Sequence, residues 1–505
     1  MLLRNGTCAL RSRNACGIVC VFSILFKAAS SAPPRPPFAV VGFCRGNCQS
    51  GLTTEHCVRR PDITEGSILR ALTQLTTPML AGAVFQNAQS LIDLFWVGRL
   101  GPSAVASVAM AGTVLMVLFP MLMGASTGTV ALVARATGAQ RPEEANEATG
   151  QSLMLAIVLG GVTGVAGWFC SHPLISLLGA APDVVAGGGA YLRISLLGSF
   201  TAFLLFIGNA ALQGAGDAVT PMWIMMVSNI INIGLAPLFI FGLGILPPMG
   251  VRGAAIATVL AQAIAACISV YYLVSGKTRL HVRLSEWEPD LALCWRILRI
   301  GIPGSGQMLA RSLSGVVMMR IIAACGTASV AAYGVGMRFH MLLLMPAFAL
   351  GGAAATMVGQ NLGAAKPHRA GSAAWLATAV DAAFMALAAA VLFLSAPRLI
   401  HFFNADPEVV SVGAHYLRVV SPFYVFAALG IVLGRALNGA GDSISPMIIT
   451  MVCLWGLQVP LAIIFSRLWQ PATQGIWWAI VVAMVLQGLL IAGWFQTGRW
   501  KRSRV

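Results

Sequence analysis

The sequence predicts an all-α polytopic membrane protein, with twelve transmembrane helices in two six-helix bundles related by a parallel pseudo-two-fold repeat. Three observations predict this. Of 505 residues, 58% are apolar and 10% charged, with a mean hydropathy of +0.82; a soluble globule carries about 25% charged residues. Beyond residue 61 the chain falls into twelve apolar runs, each near or above the roughly 20 residues needed to cross a bilayer. Residues 78–262 align with residues 303–487 at one constant offset of 225, without a gap. Pro78 maps to Pro303, Gly101 to Gly326, and Tyr191-Leu192-Arg193 to Tyr416-Leu417-Arg418. Ala211 through Asp217 maps to Ala436 through Asp442. Two copies of one hydrophobic unit make two lobes, with the natural place for a substrate between them, which is the mark of a secondary transporter.

The expected domains are 1–61 as a leader, 62–280 as the amino-terminal lobe and 281–505 as the carboxy-terminal lobe with a short basic tail. Residues 1–60 hold eight basic residues against Glu55 alone, and six of the eleven cysteines. A basic start, an apolar stretch at 17–26 and a Pro cluster read as a signal peptide, an organelle-targeting leader or a start codon placed too early. Without this segment the formal charge of +16 drops to +9. That remainder is dispersed and forms no single stripe, which suits membrane loops and argues against nucleic-acid binding. The other five cysteines lie singly in or beside apolar spans and read as small hydrophobes, with no metal site and no disulfide framework.

The spans are expected at 68–92, 104–133, 149–170, 190–212, 219–245, 251–275, 295–323, 328–358, 372–395, 411–434, 443–467 and 474–496. Pro120, Pro237, Pro303 and Pro460 fall inside them and predict kinks, which membrane helices tolerate. With both termini in the cytoplasm, the even-numbered loops and the tail hold twelve Lys or Arg and the outer loops four, counting Arg435 among the even-loop charges. This fits the positive-inside rule. Six spans per repeat give both copies the same orientation, so the pseudo-axis runs along the membrane normal. The expected location is a multi-pass protein of the cell (inner) membrane, or of an organelle membrane if the leader is a targeting peptide.

Of sixteen acids, only Asp93 and Asp381 lie within or at the edge of spans. A carboxylate at the bilayer centre costs ~2.5–3.5 kcal/mol on insertion scales, so each is a functional candidate. Asp93 ends a helix bearing Gln86, Asn87, Gln89 and Ser90, polar residues whose helical spacing predicts one wet face towards a cavity. The bland alternative is a headgroup-level Asp at a helix end. Asp381 stands among Ala and Phe and reads equally as one interhelical hydrogen bond. Arg193 and Arg418 are repeat mates near outer span ends, where snorkelling explains them. Arg311, Arg320 and Arg338, with His340 beside the last, belong only to the second half. They suit an anionic substrate, Asp381 or helix carbonyls alike, and Asp381, Arg311, Arg338 and His340 form a candidate carboxy-lobe polar site.

Gly-Ala-Gly-Asp occurs twice, at 214–217 and 439–442. It spells the GxGD of intramembrane aspartyl proteases, but such an enzyme needs a second membrane Asp paired with the first. Ahead of Pro221 and Pro446, each copy reads instead as a turn whose Asp caps the next helix. No H-E-x-x-H and no P-loop lysine occurs, and an enzyme is not expected.

Several stretches in order resemble the multidrug and toxic compound extrusion (MATE) transporters over about residues 62–500. They are Pro78 through Gly101, Ala211 through Pro221, Asn229 through Leu243, Gly250 through Thr258, Val358 through Gly363 and Asn438 through Pro446. The resemblance implies two six-helix bundles around a V-shaped cavity, and efflux of amphipathic, often cationic compounds driven by inward H⁺ or Na⁺. It implies that Asp93 is the ion-coupling carboxylate, Asn232 and Thr258 its polar partners and Pro78 the hinge of its helix. One departure bears on the ion. Where many members read Asn-x-x-x-Asp-Pro, this chain reads Asn232-Ile233-Gly234-Leu235-Ala236-Pro237. Ala236 removes a second carboxylate, leaving a thin cage for a dehydrated Na⁺, whereas one carboxylate suffices for a proton. His340 also replaces an acid found in many relatives. The expected function is an H⁺-coupled antiporter (Na⁺ less so) for drugs or metabolites, needing no cofactor. Its expected partners are small-molecule substrates and the bilayer, not nucleic acid, and it is expected to act as a monomer. The alternative is a lipid or glycolipid flippase of the same superfamily, whose cavity would favour a cationic lining.

Overall fold

The computed structural model describes residues 63–179, 181–242, 247–283 and 288–503. The leader, with its targeting and cysteine readings, lies outside them. The described chain is helical, with twelve segments in the expected order. They are α1 (Ile68–Gly98), α2 (Pro102–Gly138), α3 (Pro142–Leu177), and α4, which runs Pro182–Leu197 and then, after a 47° bend, Ser199–Gly214. The first half closes with α5 (Val219–Phe241) and α6 (Val251–Val274). The second half holds α7 (Leu291–Ala323), α8 (Thr327–Gly363), α9 (Pro367–Phe403), α10 (Pro407–Gly439), α11 (Ile444–Leu468) and α12 (Ala472–Gln496). All but α7 are long and apolar enough to cross a membrane, the bent α4 counted as one span. Helix α7 falls short because Arg311 and the small or polar run Gly301–Gln307 dilute its apolar content. Exposed Leu91, Met116, Phe169, Leu387 and Leu394 belong to an apolar exterior that only lipid can cover.

Several helices overrun their expected spans. Proline opens α2, α3, α4, α9 and α10, where its fixed φ suits a first turn and its missing N–H costs nothing. Pro78, Pro120, Pro237 and Pro303 lie inside helices without ending them. Pro460 follows a π-helical stretch, Val452–Gln458, whose wider turn absorbs the absent donor. The 47° bend of α4 falls at Gly198, where no proline marks it.

The repeat extends to single backbone angles. Gly101 and Gly326 have φ of 106° and 102°, and Gly216 and Gly441 have 87° and 89°. Gln140 and Ala365, neither a glycine, both stand at φ 55°. Each closes a helix end in which the next N–H reaches back: Arg141 to the Ala136 carbonyl at 3.1 Å, Lys366 to the Asn361 carbonyl at 2.8 Å. The Gly-Ala-Gly-Asp turns cap as expected. Asp217 accepts from the Thr220 N–H at 3.0 Å, and Asp442 from the Ser445 N–H at 3.2 Å.

Small residues set how the halves meet. Helix α7 packs along α2, and α1 against α8, so the first helix of each repeat leans on the second helix of the other. Gly124 and Gly128 face Gly301 and Ile297, and a Cβ at either would collide with the α7 backbone. This is the small-xxx-small contact of membrane helices. The same two glycines complete Gly124-Ala125-Ser126-Thr127-Gly128, which spells the G-x-S-x-G of hydrolases. It sits in the middle of α2 rather than on a strand-to-helix turn, so it is a packing feature.

Every hydrogen bond and ion pair joining the halves among the described residues lies at the end carrying the even-numbered loops. Gln360 Nε2 donates to the Gly214 carbonyl at 2.8 Å, and its repeat mate Arg135 to the Ala440 carbonyl at 3.4 Å. Each lobe thus grips the other's Gly-Ala-Gly-Asp turn. Lys366 donates to the Thr64 carbonyl at 3.2 Å and pairs with Glu65 at 3.6 Å; Arg369 donates to the Glu65 carbonyl at 2.9 Å. The polar seal lies at this end, and among the described residues no hydrogen bond or ion pair joins the lobes towards the odd-numbered loops.

Candidate ion-coupling site

Asp93 lies five residues before the end of α1, about 22 Å along the helix from Pro78. Its neighbours come from α5 and α6. The Thr258 hydroxyl approaches Asp93 Oδ2 at 3.4 Å and the Ala254 carbonyl at 3.0 Å, and Asn232 Nδ2 donates to Thr258 Oγ1 at 3.2 Å. The structure therefore brings together Asp93, Asn232 and Thr258. Asn232 is buried, and its Oδ1 has no hydrogen-bond donor. Asp93 and Tyr191 of α4 are partly exposed, and Tyr191 lies within electrostatic reach of Asp93. The sequence reading missed Tyr191, whose pairing with Tyr416 across the repeat drew notice only as alignment.

Beneath the cluster, Ala236 is buried against Val97, Ala254 and Ala257. Gly253 lets α6 approach the Phe239 carbonyl so closely that a Cβ would collide with it. Small residues thus draw α5 and α6 together and set Asn232 beside Thr258. The second lobe has no copy of this site: the mates of Asp93, Asn232 and Thr258 are Met318, Leu457 and Ala483.

The candidate carboxy-lobe residues divide. Asp381 is fully buried in α9, and neither carboxylate oxygen has a partner. Neither the interhelical hydrogen bond nor the pairing with Arg311 expected of it forms. Arg338 and Arg320 are exposed. Arg311 and His340 do converge, and His340 Nδ1 lies 3.1 Å from the Tyr424 hydroxyl. The outer-end arginines also part company: Arg193 stacks over Trp168 at 3.3 Å, while Arg418 is exposed.

A family model, MatE, matches residues 78–238 and 303–464, two stretches that begin one repeat offset apart. The chain belongs to the MatE family. It is 27% identical over 442 residues to a probable multidrug resistance protein NorM of Thermotoga maritima, covering 87% of this chain and 94% of that one. It is 28% identical over 430 residues to an FAD transporter of Shewanella oneidensis, covering 85% and 95%. A solved structure described as the outward-facing conformation of a multidrug resistance MATE family transporter of the MOP superfamily superposes with a TM-score of 0.80 at 26% identity, covering 87% of this chain and 98% of that one. This MatE protein is a multi-pass membrane transporter, and its relatives' names support drug efflux.

Proposed function

We propose that the chain is an H⁺-coupled antiporter that exports amphipathic compounds by alternating access, from a cell membrane in which both termini face the cytoplasm. The observation that carries this reading is the Asp93–Thr258–Asn232 cluster, which has one carboxylate and occurs in one lobe only. Asp93 exchanges the proton. Thr258 donates to the carboxylate, and Asn232 Oδ1 supplies the free acceptor that a neutral carboxylic acid needs. Proton and substrate then bias two arrangements of the lobes rather than sharing chemistry. With the basic loops in the cytoplasm, the sealed end is the inner one, the arrangement that suits an outward-open state. Pro78 marks where α1 can bend between Asp93 and this seal.

Proton coupling follows from what the cluster lacks. A dehydrated Na⁺ needs several oxygens and charge balance, and with Ala236 in place the carboxylate stands alone. Wild-type transport should therefore follow ΔpH and ignore Na⁺. Ala236→Asp should add Na⁺ sensitivity, read as Na⁺-stimulated efflux at zero ΔpH. A variant that folds and pumps with no response to Na⁺ would show that ligand count is not what excludes the ion.

A further inference from the structure

Within its spans the first lobe holds a single carboxylate, Asp93; the spans of the second bring two guanidiniums together. Arg311 on α7 lies within electrostatic reach of His340 on α8 and of Arg435 on α10. The Arg435 guanidinium sits 5.0 Å from the centre of the Phe348 ring, and its stem runs against Gly351 of α8. A Cβ at Gly351 would lie 3.0 Å from Arg435 Cδ, so the glycine makes room for the arginine. Arg311, His340 and Arg435 are each partly exposed, and no nitrogen of either arginine is both buried and unpartnered. Both guanidiniums therefore keep surface that no protein group covers, among α7, α8 and α10.

No acid neutralises them. Arg311 and Arg435 make no ion pair among the described residues, and Asp381, the one carboxylate in the spans of this lobe, is buried beyond their influence. The remaining polar groups are neutral: Gln307 Nε2 donates to Thr450 Oγ1 at 3.1 Å, and Gln487 Nε2 to the same oxygen at 2.9 Å. Across the repeat, Arg311, His340 and Arg435 correspond to Gln86, Leu115 and Ala210. The cationic cluster is thus as specific to the second lobe as Asp93 is to the first. Uncompensated charge within membrane spans is expensive and marks a functional site. Two neighbouring guanidiniums with uncovered nitrogens and no counterion suit an oxyanion, which they can hold by charge-assisted, bidentate hydrogen bonds.

We propose that Arg311, Arg435 and His340 form a substrate subsite for an oxyanion, a carboxylate or phosphate carried on an amphipathic molecule, with the aromatic edge of Phe348 and Tyr424 beside its apolar part. This rests on the efflux reading and names the substrate class for it. The carboxylate of the first lobe and the guanidiniums of the second divide the work, one lobe taking the coupling ion and the other the anionic end of the cargo.

The test compares norfloxacin, a fluorescent amphipath with a free carboxylate, with its ethyl ester, using the full chain in phosphatidylcholine nanodiscs. Wild type should bind the acid at least about tenfold more tightly than the ester. Arg311→Gln and Arg435→Gln should each abolish that preference. Arg311→Lys and Arg435→Lys should restore part of it, which guards against loss through misfolding. Arg338→Gln, on an exposed side chain, should leave the preference unchanged. If added phosphatidylglycerol competes with the acid in wild type but not in Arg311→Gln, the oxyanion is a lipid headgroup; without competition it belongs to a free solute. Equal affinity for acid and ester, or a preference surviving both Gln variants, overturns the proposal. ΔpH-driven efflux of both compounds under those outcomes would leave the antiporter reading standing, and its absence for both would bring that reading down instead.

Discussion

Asp93→Asn should reduce proton-driven efflux to the level of vesicles without the protein. The substitution removes the single titratable group of the cluster and almost no volume. Asn can still accept from the Thr258 hydroxyl, which lies 3.4 Å from the carboxylate in the native site. Folding and insertion should therefore persist, seen as an unfolding temperature within about 2 °C of wild type, since ~1 kcal/mol shifts a chain of this length by about 1 °C. The second lobe offers no substitute, since Met318 stands at the equivalent place. A variant that pumps at the wild-type rate under ΔpH would remove Asp93 from the mechanism.

The second large effect is expected at the seal. Gly138 and Gly363 are repeat mates at the ends of α2 and α8, and each faces the other helix without a side chain between. A Cβ on Gly138 would meet the Gln360 carbonyl, and one on Gly363 the Arg135 carbonyl. Both obstacles are backbone, which cannot swing aside. Overpacking costs about 1–3 kcal/mol, enough to shift a two-state balance by about 5- to 150-fold. Gly138→Ala and Gly363→Ala should each wedge the lobes apart at the even-loop end and slow export accordingly. Spin labels at Glu143 and His368, exposed repeat mates on that side, should report a longer distance in either variant. An unchanged distance with full transport would mean that the close approach of α2 and α8 is not part of the cycle.

Much of this architecture was legible in the sequence because it was written twice. The offset of 225 foretold the paired turns and the two-repeat layout, and the structure adds that Gln140 and Ala365 share a left-handed φ. Asp93 was legible because a carboxylate within an apolar span has few bland explanations. What the sequence hid depends on rotation about helix axes and on where helices end. Arg435 counted as a loop charge because the apolar run stops at residue 434; helix α10 continues to Gly439 and turns that side chain inward. Asp381 and Arg311 looked like partners by charge, but α9 points Asp381 into packed side chains that no cation enters. The bend of α4 at Gly198 stayed hidden because nothing but a missing Cβ marks it, and an apolar run reads through a glycine.

The most direct test of the account reconstitutes the full chain in liposomes and follows norfloxacin movement under an imposed ΔpH, then under an imposed Na⁺ gradient with pH equal on both sides. The account predicts transport that tracks ΔpH, vanishes with Asp93→Asn and is the same in Na⁺ or K⁺ buffer. Transport driven by Na⁺ at zero ΔpH in the unmodified protein would contradict it and would place the coupling ion outside the Asp93 cluster.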